Sequence, residues 1–290
     1  MRKLILLLLI GLFTILAPTP ILGDAVVGEV IVTLGKNLTE QQKKQILQEM
    51  NVTDDTEIIY VSIEEERKYL GNYISQQKIG SRSISSARII LLDSGAGINV
   101  ASNNIDWVSE GMYANALVTA GITDADIYVT APFNVSGTGA LTGIIKAYEI
   151  SAEIEIPEEQ KQVANEEMVK TAELGDRLGI EQATELMTRI KEEIAKNPIT
   201  NEEELRDLIQ RIAQELGITL TEEELRGLIS LFNRMKDLNI DWNQVQNQIS
   251  KIRDNLGEFL NREDTQTFIR KILDLLIEII NVIKGWFTNG

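Results

Sequence analysis

The 290-residue sequence contains neither cysteine nor histidine. Without cysteine there is no disulfide framework, no thiol nucleophile and no N-terminal cysteine to carry a lipid. Without histidine, a Ser-His-Asp triad and the usual zinc ligand sets are excluded. Any catalysis would rest on carboxylates, on serine–lysine chemistry or on a bound cofactor. Positive charge is also scarce: 28 Lys and Arg stand against 44 Asp and Glu, a net charge of −16. Such a surface repels nucleic acid phosphates and anionic lipid headgroups, so no nucleic acid partner is expected. Calcium-loop and dinucleotide-binding spacings are missing, so neither a metal site nor a cofactor is expected.

What is present begins with Arg2 and Lys3, followed by an uncharged apolar run over residues 4–16. Pro18, Pro20 and the small-residue stretch Gly23, Asp24, Ala25 come next. This is the three-part pattern of a secretory signal, and the apolar run is too short to span a bilayer. Residues 1–25 are therefore expected to be removed near Ala25. The mature protein is expected to have no transmembrane span and to work outside the cytoplasm, free or held at the cell wall or membrane exterior.

The whole chain is 43% hydrophobic and 25% charged, an ordinary globular composition. Its first part, 26–155, mixes the two periodicities. Strands are expected over 26–34, 57–61, 87–92 and 126–130, with 97–100 extending or returning the third. Thr39 with Gln42, and Ser62 with Glu65, have the spacing of capping boxes and open helices. Further helices are expected over 112–120 and 137–149, and Asn103, Asn104, Asp106 and Trp107 read as a polar loop. The segments 51–61 and 121–129 resemble each other, and each leads from a helix into a strand. Two β-α-β-α-like halves follow from this, in a domain of α+β or α/β class.

The second part, 156–290, is α-helical in pattern. Leu205, Leu208, Ile209, Ile212 and Leu216 repeat at helical spacing. The string EEELRxLI occurs twice, from Glu202 and from Glu222, preceded by the cap candidates Asn201 and Thr221. Another helix is marked by Val245, Ile249 and Ile252. The last, from about Asp264, carries apolar residues on most of its circumference between Ile272 and Phe287. It must dock on its own bundle, on a second copy, or on the cell envelope.

Residues 136–143, SGTGALTG, follow a strand and open a helix. Free amides and the positive end of that helix can hold an anion there. Asn134, Ser136, Gly137, Thr138 and Gly139 are the ligand-binding candidates, beside Pro132 and Phe133. The other reading is close packing of the helix start, with the loop side chains capping their own backbone. No residue qualifies as catalytic. A non-enzymatic binding or structural protein of the bacterial exterior is expected. The alternative is a small-ligand-binding or hydrolytic domain using the 134–139 loop.

Two long strings carry a family resemblance: NVASNNIDWVSEGMYANALVTAGI over 99–122 and APFNVSGTGALTGIIKAYE over 131–149. LGKNLTEQQ, over 34–42, adds to it. They resemble the family of domain of unknown function 1002 (DUF1002), the YpuA-like secreted proteins of Firmicutes. The resemblance covers roughly residues 26–195. It implies secretion and a Gram-positive source. It implies no activity, so it brings no functional residue with it.

Protein recovered from culture medium or cell wall should begin near Ala25 on N-terminal sequencing. An intact Met1 in a cytosolic fraction would overturn export.

Overall fold

The computed structural model describes residues 27–261 except Asp54 and Asn239, with side chains to residue 253. The signal-like segment 1–25 and the apolar stretch from Ile272 to Phe287 lie outside the described residues. Five strands form one mixed sheet: β1 (Val30–Gly35), β2 (Glu57–Val61), β3 (Ser86–Leu91), β4 (Ile98–Ile105) and β5 (Ala125–Val135), in the order β2-β1-β3-β5-β4. β1 and β2 are parallel, as are β4 and β5, while β3 runs antiparallel to both of its neighbours.

Two β-α-β-α units flank that central strand. The first is β1, α1 (Glu40–Glu49), β2 and α2 (Ile63–Leu70); the second is β4, α4 (Glu110–Thr119), β5 and α5 (Thr138–Ser151). A short α3 (Gln76–Ile79) precedes β3. The similar segments have one physical origin. Both α1 and α4 close on a left-handed residue, Asn51 at φ 50° and Gly121 at φ 82°. The next amides, of Val52 and Ile122, bond back to the carbonyls of Leu47 and Leu117. Asn and Gly are the residues that adopt this conformation at least cost.

Asn103 and Asn104 belong to β4 rather than to a loop. β4 is an edge strand whose side chains after Ile98 stay exposed or half-buried, so it lacks the apolar alternation that marks a strand in sequence. Asn104 sits at φ 58°, where the register with β5 shifts. β5 also extends past Pro132. Its pairing with β3 ends at Thr130, so the missing proline amide costs no bond there.

Alternation along the strands splits the apolar residues between two faces. Ile31, Ile59, Ala87, Ile89, Ile127 and Val129 pack against α4 and α5 in the main core. Val32 and Leu34 face the other way and are covered by Ile46 of α1 and by Met50, which follows its last turn. The main core continues beyond residue 155. Met168, Val169 and Ala172 of α6 (Glu158–Leu178) enter it, as do Val245 and Ile249 of α10 (Trp242–Asn261). The opposite side of α6 gives Val163 and Leu174 to a second core with α7 (Ile180–Lys196), α8 (Glu202–Glu215) and α9 (Glu222–Asp237). The α8 and α9 caps follow the repeated string. Asn201 accepts from the Glu204 amide at 2.9 Å, and Thr221 forms a full capping box with Glu224. Among the described residues no helix is long and apolar enough to cross a membrane.

Where α7 meets α4 and α6, the ammonium of Lys191 is fully buried. It donates to the Asn115 carbonyl and to Thr119 Oγ1, both at 2.7 Å, and to Glu167 Oε1 at 3.0 Å. Thr119 Oγ1 itself lies 2.5 Å from Glu167 Oε2. Burial pushes the ammonium below the usual lysine range, against the pull of Glu167. Lys191→Ala leaves the Glu167 charge buried and unpaired, and should cost ~3–5 kcal/mol in urea denaturation. Lys191→Met combined with Glu167→Met should cost less, because both charges leave together. A loss below ~1 kcal/mol for the single variant, the scale of a surface ion pair, would mean that water reaches the pair.

Candidate functional site

β5 delivers the chain to Ser136 and Gly137, where α5 starts. Gly137 adopts φ +83°, the left-handed region, and caps α5 without a side-chain hydrogen bond. Its carbonyl accepts from the hydroxyl of Tyr113, on α4, at 2.5 Å. A Cβ at Gly137 would run into that hydroxyl and into Ile105. Gly139 is needed for a different reason: the Glu66 carboxyl, from α2, lies so close that a Cβ would overlap it. Further along, Gly143 packs against Thr33 and Val61 of the sheet. The glycines of this segment thus allow close approach of a sheet, a tyrosine and a carboxyl.

A cleft of about 260 Å³ opens beside this helix start. One wall is 135–139, another is the segment 78–85, and Glu66 lies between them. Ser136, Gly137, Thr138 and Gly139 all line it; Asn134 is exposed and lies outside the lining. Thr138 is buried, with its hydroxyl 3.4 Å from that of Ser136. Lys78 and Arg82 supply positive charge. Lys78 is partly engaged, 2.9 Å from Asp176 and 4.2 Å from the centre of the Trp107 ring.

Glu66 is 3% exposed, and its Oε1 has no hydrogen-bond partner. Burial pushes the carboxyl up to about 7. The Ser83 hydroxyl draws it partly back, yet Ser83 Oγ also lacks a hydrogen-bond partner. Burial, with Glu66 adding to it, raises the Tyr113 phenol above its ordinary value. At neutral pH the cleft therefore holds a carboxyl that is neutral about half the time and can donate a hydrogen bond. Together with the uncapped first turn of α5 and Arg82, it forms a donor-rich pocket suited to an oxyanion. The described lining holds a single carboxyl, so the paired carboxylates of glycoside hydrolysis are not assembled there. Among the described residues no group of acidic side chains could hold a metal ion.

Sequence reasoning located the glycine loop but missed Glu66, Arg82 and the 78–85 wall. A signal for Glu66 exists. Ile63, Glu66 and Leu70 fall at i, i+3 and i+7, and all three are buried. A carboxyl in the apolar stripe of a helix marks either a partner or a site. Nothing in the sequence links 78–85 to 135–139.

Residues 34–252 match the family described as protein of unknown function (DUF1002). The uncharacterized protein YpuA of Bacillus subtilis (strain 168) is 47% identical over 274 residues, covering 94% of each chain. No solved structure matches. The chain belongs to the DUF1002 family.

The raised Glu66 carboxyl has a signed consequence for stability. Its folded value of about 7 lies above an ordinary 4.5. Its contribution is therefore fully present below pH 4.5 and is lost as pH rises through 7. Glu66→Gln should stabilise the protein at pH 8 by up to about 3 kcal/mol and change little at pH 4. Urea denaturation at the two pH values checks this. An equal effect at both would show that the carboxyl titrates normally.

Proposed function

We propose that this DUF1002 protein is an exported, non-catalytic binding protein of the bacterial exterior. Its ligand carries an oxyanion and occupies the cleft between α2 and the start of α5. The observation that carries this reading is the convergence on one cleft of an uncapped helix start, Arg82 and a buried Glu66 with an unpartnered oxygen. Export rests on the signal pattern of residues 1–25. The overall acidity of the chain does not oppose anion binding at this point. Lys78 and Arg82 outweigh Glu66 locally when its carboxyl is neutral.

Nothing specific favours hydrolysis by the 134–139 loop. Glu66 has no second carboxylate beside it in the described lining. Lys78, the lysine that could activate a serine there, is bound to Asp176 and stacked on Trp107.

Inorganic phosphate or sulfate should raise the melting temperature of the mature protein. An oxyanion is favoured by neutral Glu66, so affinity should fall as pH rises through about 7. Between pH 6 and pH 8 the neutral fraction, and with it the affinity, drops roughly tenfold. Glu66→Gln should flatten that pH dependence while keeping binding. Arg82→Gln should weaken binding about tenfold or more, the scale of one charge-assisted hydrogen bond. Gly137 and Gly139 variants are unsuitable probes, because a Cβ at either position collides with the fold. If phosphate, sulfate and acetate all fail to stabilise the protein at pH 6, the cleft is not an anion site.

A further inference from the structure

The sheet ends in two edge strands, β2 and β4, and an open edge is a template for a further strand. In β2 the outward backbone groups belong to Ile58 and Tyr60. Val61 faces β1 instead, because its carbonyl accepts from the Lys36 amide at 2.8 Å, and alternate residues of a parallel strand bond to opposite sides. The side chains of Ile58 and Tyr60 share one face of the sheet and are 37% and 44% exposed. β2 reads Glu-Ile-Ile-Tyr-Val, with no proline and high strand propensity, the composition of a self-pairing strand.

A second copy of the chain fits this edge. Two β2 strands related by a two-fold axis run antiparallel. Centred on Ile59, that pairing sets Ile58 opposite Tyr60 of the second copy, a β-branched residue against an aromatic one, and Glu57 opposite Val61. No like charges oppose each other within the strands. The edge is nevertheless occupied. Lys146, on α5, sends its ammonium to the Tyr60 carbonyl at 3.1 Å and is held there by Glu65 at 2.6 Å. The ammonium sits where the amide of an incoming strand would donate.

The β4 edge is closed in the same manner by the opposite charge. The Gly97 carbonyl accepts from the Ala125 amide at 3.1 Å, which turns alternate residues from Gly97 to Ala101 toward β5 and leaves Ser102 facing out. Glu110, in the first turn of α4, takes the Ser102 amide at 2.9 Å and the Ser102 hydroxyl at 3.2 Å. Two residues on, Asn104 at φ 58° shifts the register, and such an irregularity ends regular pairing along an edge. An incoming strand would have to displace each charge from its backbone partner and desolvate it. Two-fold pairing of β2 would also bring two Lys146 ammoniums together. From this geometry we propose that Lys146 and Glu110 guard the two edges of the sheet against a second copy of this chain, and that β2 is the surface that pairs when its guard is removed. The guards do not depend on the cleft at Gly137, since neither residue lines it.

Sedimentation velocity of the mature chain, from micromolar to near-millimolar concentration, tests this. The parent should sediment as a monomer. Lys146→Met keeps the apolar stem and removes the ammonium; Glu110→Ala removes the carboxylate. Each should raise the self-association constant about tenfold or more, the scale of one charge-assisted hydrogen bond. Lys146→Arg and Glu110→Gln keep a donor and an acceptor in place and should remain monomeric. Glu65→Gln removes the ion pair of Lys146 but leaves its ammonium on the Tyr60 carbonyl, so it should remain monomeric too. Association of that variant would trace the effect to weakened helix packing and overturn the guard. The sequence has no cysteine, so introduced thiols report the register. Opposed residues of an antiparallel pair lie about 4.5–5.5 Å apart, within disulfide reach. In the Lys146→Met background, protein with Ile58→Cys mixed with protein with Tyr60→Cys should form a disulfide dimer, and neither should alone. Glu110 is exposed and both of its hydrogen bonds go to Ser102, so Glu110→Ala decides the matter even if Lys146→Met fails to fold. The proposal is overturned if Glu110→Ala, or a folded Lys146→Met, sediments as the parent does. It is equally overturned if the two cysteine proteins cross-link with Lys146 intact, because the edge is then open despite its guard.

Discussion

The ammonium of Lys191 has no route to solvent, and its partners decide where α6 and α7 can sit. They come from two helices, the Asn115 carbonyl and Thr119 on α4 and Glu167 on α6, and are reached from a third, α7. Apolar contacts alone would not fix this arrangement, because hydrophobic burial is non-directional and a helix can slide or rotate at little cost. α6 has apolar residues in both cores, so it has no solvent face to orient it along much of its length. A buried ion pair with fixed hydrogen bonds penalises every other register, since any slip strands a charge. Arg234 of α9 adds a second polar tie, to Glu166 and, at 3.1 Å, to the Tyr73 hydroxyl just after α2. These contacts hold α2 where the cleft at Gly137 needs it.

Much of this was legible in the sequence where the determinant is local. Thr39, Ser62, Asn201 and Thr221 could be read as caps because cap and partner lie three residues apart. The two units around β3 were legible because a helix closing on Asn51 or Gly121 leaves a short-range mark. The glycine loop was legible for the same reason. What stayed hidden has its cause at a distance. Asn103 and Asn104 lie in an edge strand because β5 pairs with the residues on either side of the register shift, not because their side chains favour it. Lys191 looks like a solvated helix lysine until its partners, 72 and 76 residues away, are placed around it. The wall at 78–85 meets the 135–139 loop only through the order of the strands.

The three successive glutamates of α2 show how little composition says about role. Glu64 is exposed and favours the helix dipole. Glu65 closes the capping box on Ser62 and holds Lys146. Glu66, one residue later, points inward against Gly139 and is neutral over part of the physiological pH range. Identical side chains take three states because a helix turns each successive residue by about a quarter turn or more relative to its neighbours. The net charge of −16 is thus a poor guide to the potential inside the cleft, where the nearest few groups dominate.

The central position of β3 bears on the order of assembly. Each flanking unit, β1 to β2 and β4 to β5, joins its parallel strands within a short stretch of chain, so its closure entropy is modest. Neither unit pairs with the other. They meet only through β3, which lies between them in sequence as well as in space. The chain can therefore form two local nuclei and then join them at one seam. α10 returns to pack on β4 after well over a hundred residues, one of the long-range closures of the fold. Because non-local closure slows folding, the helical half acts as the last clasp on a sheet whose two wings are already wound.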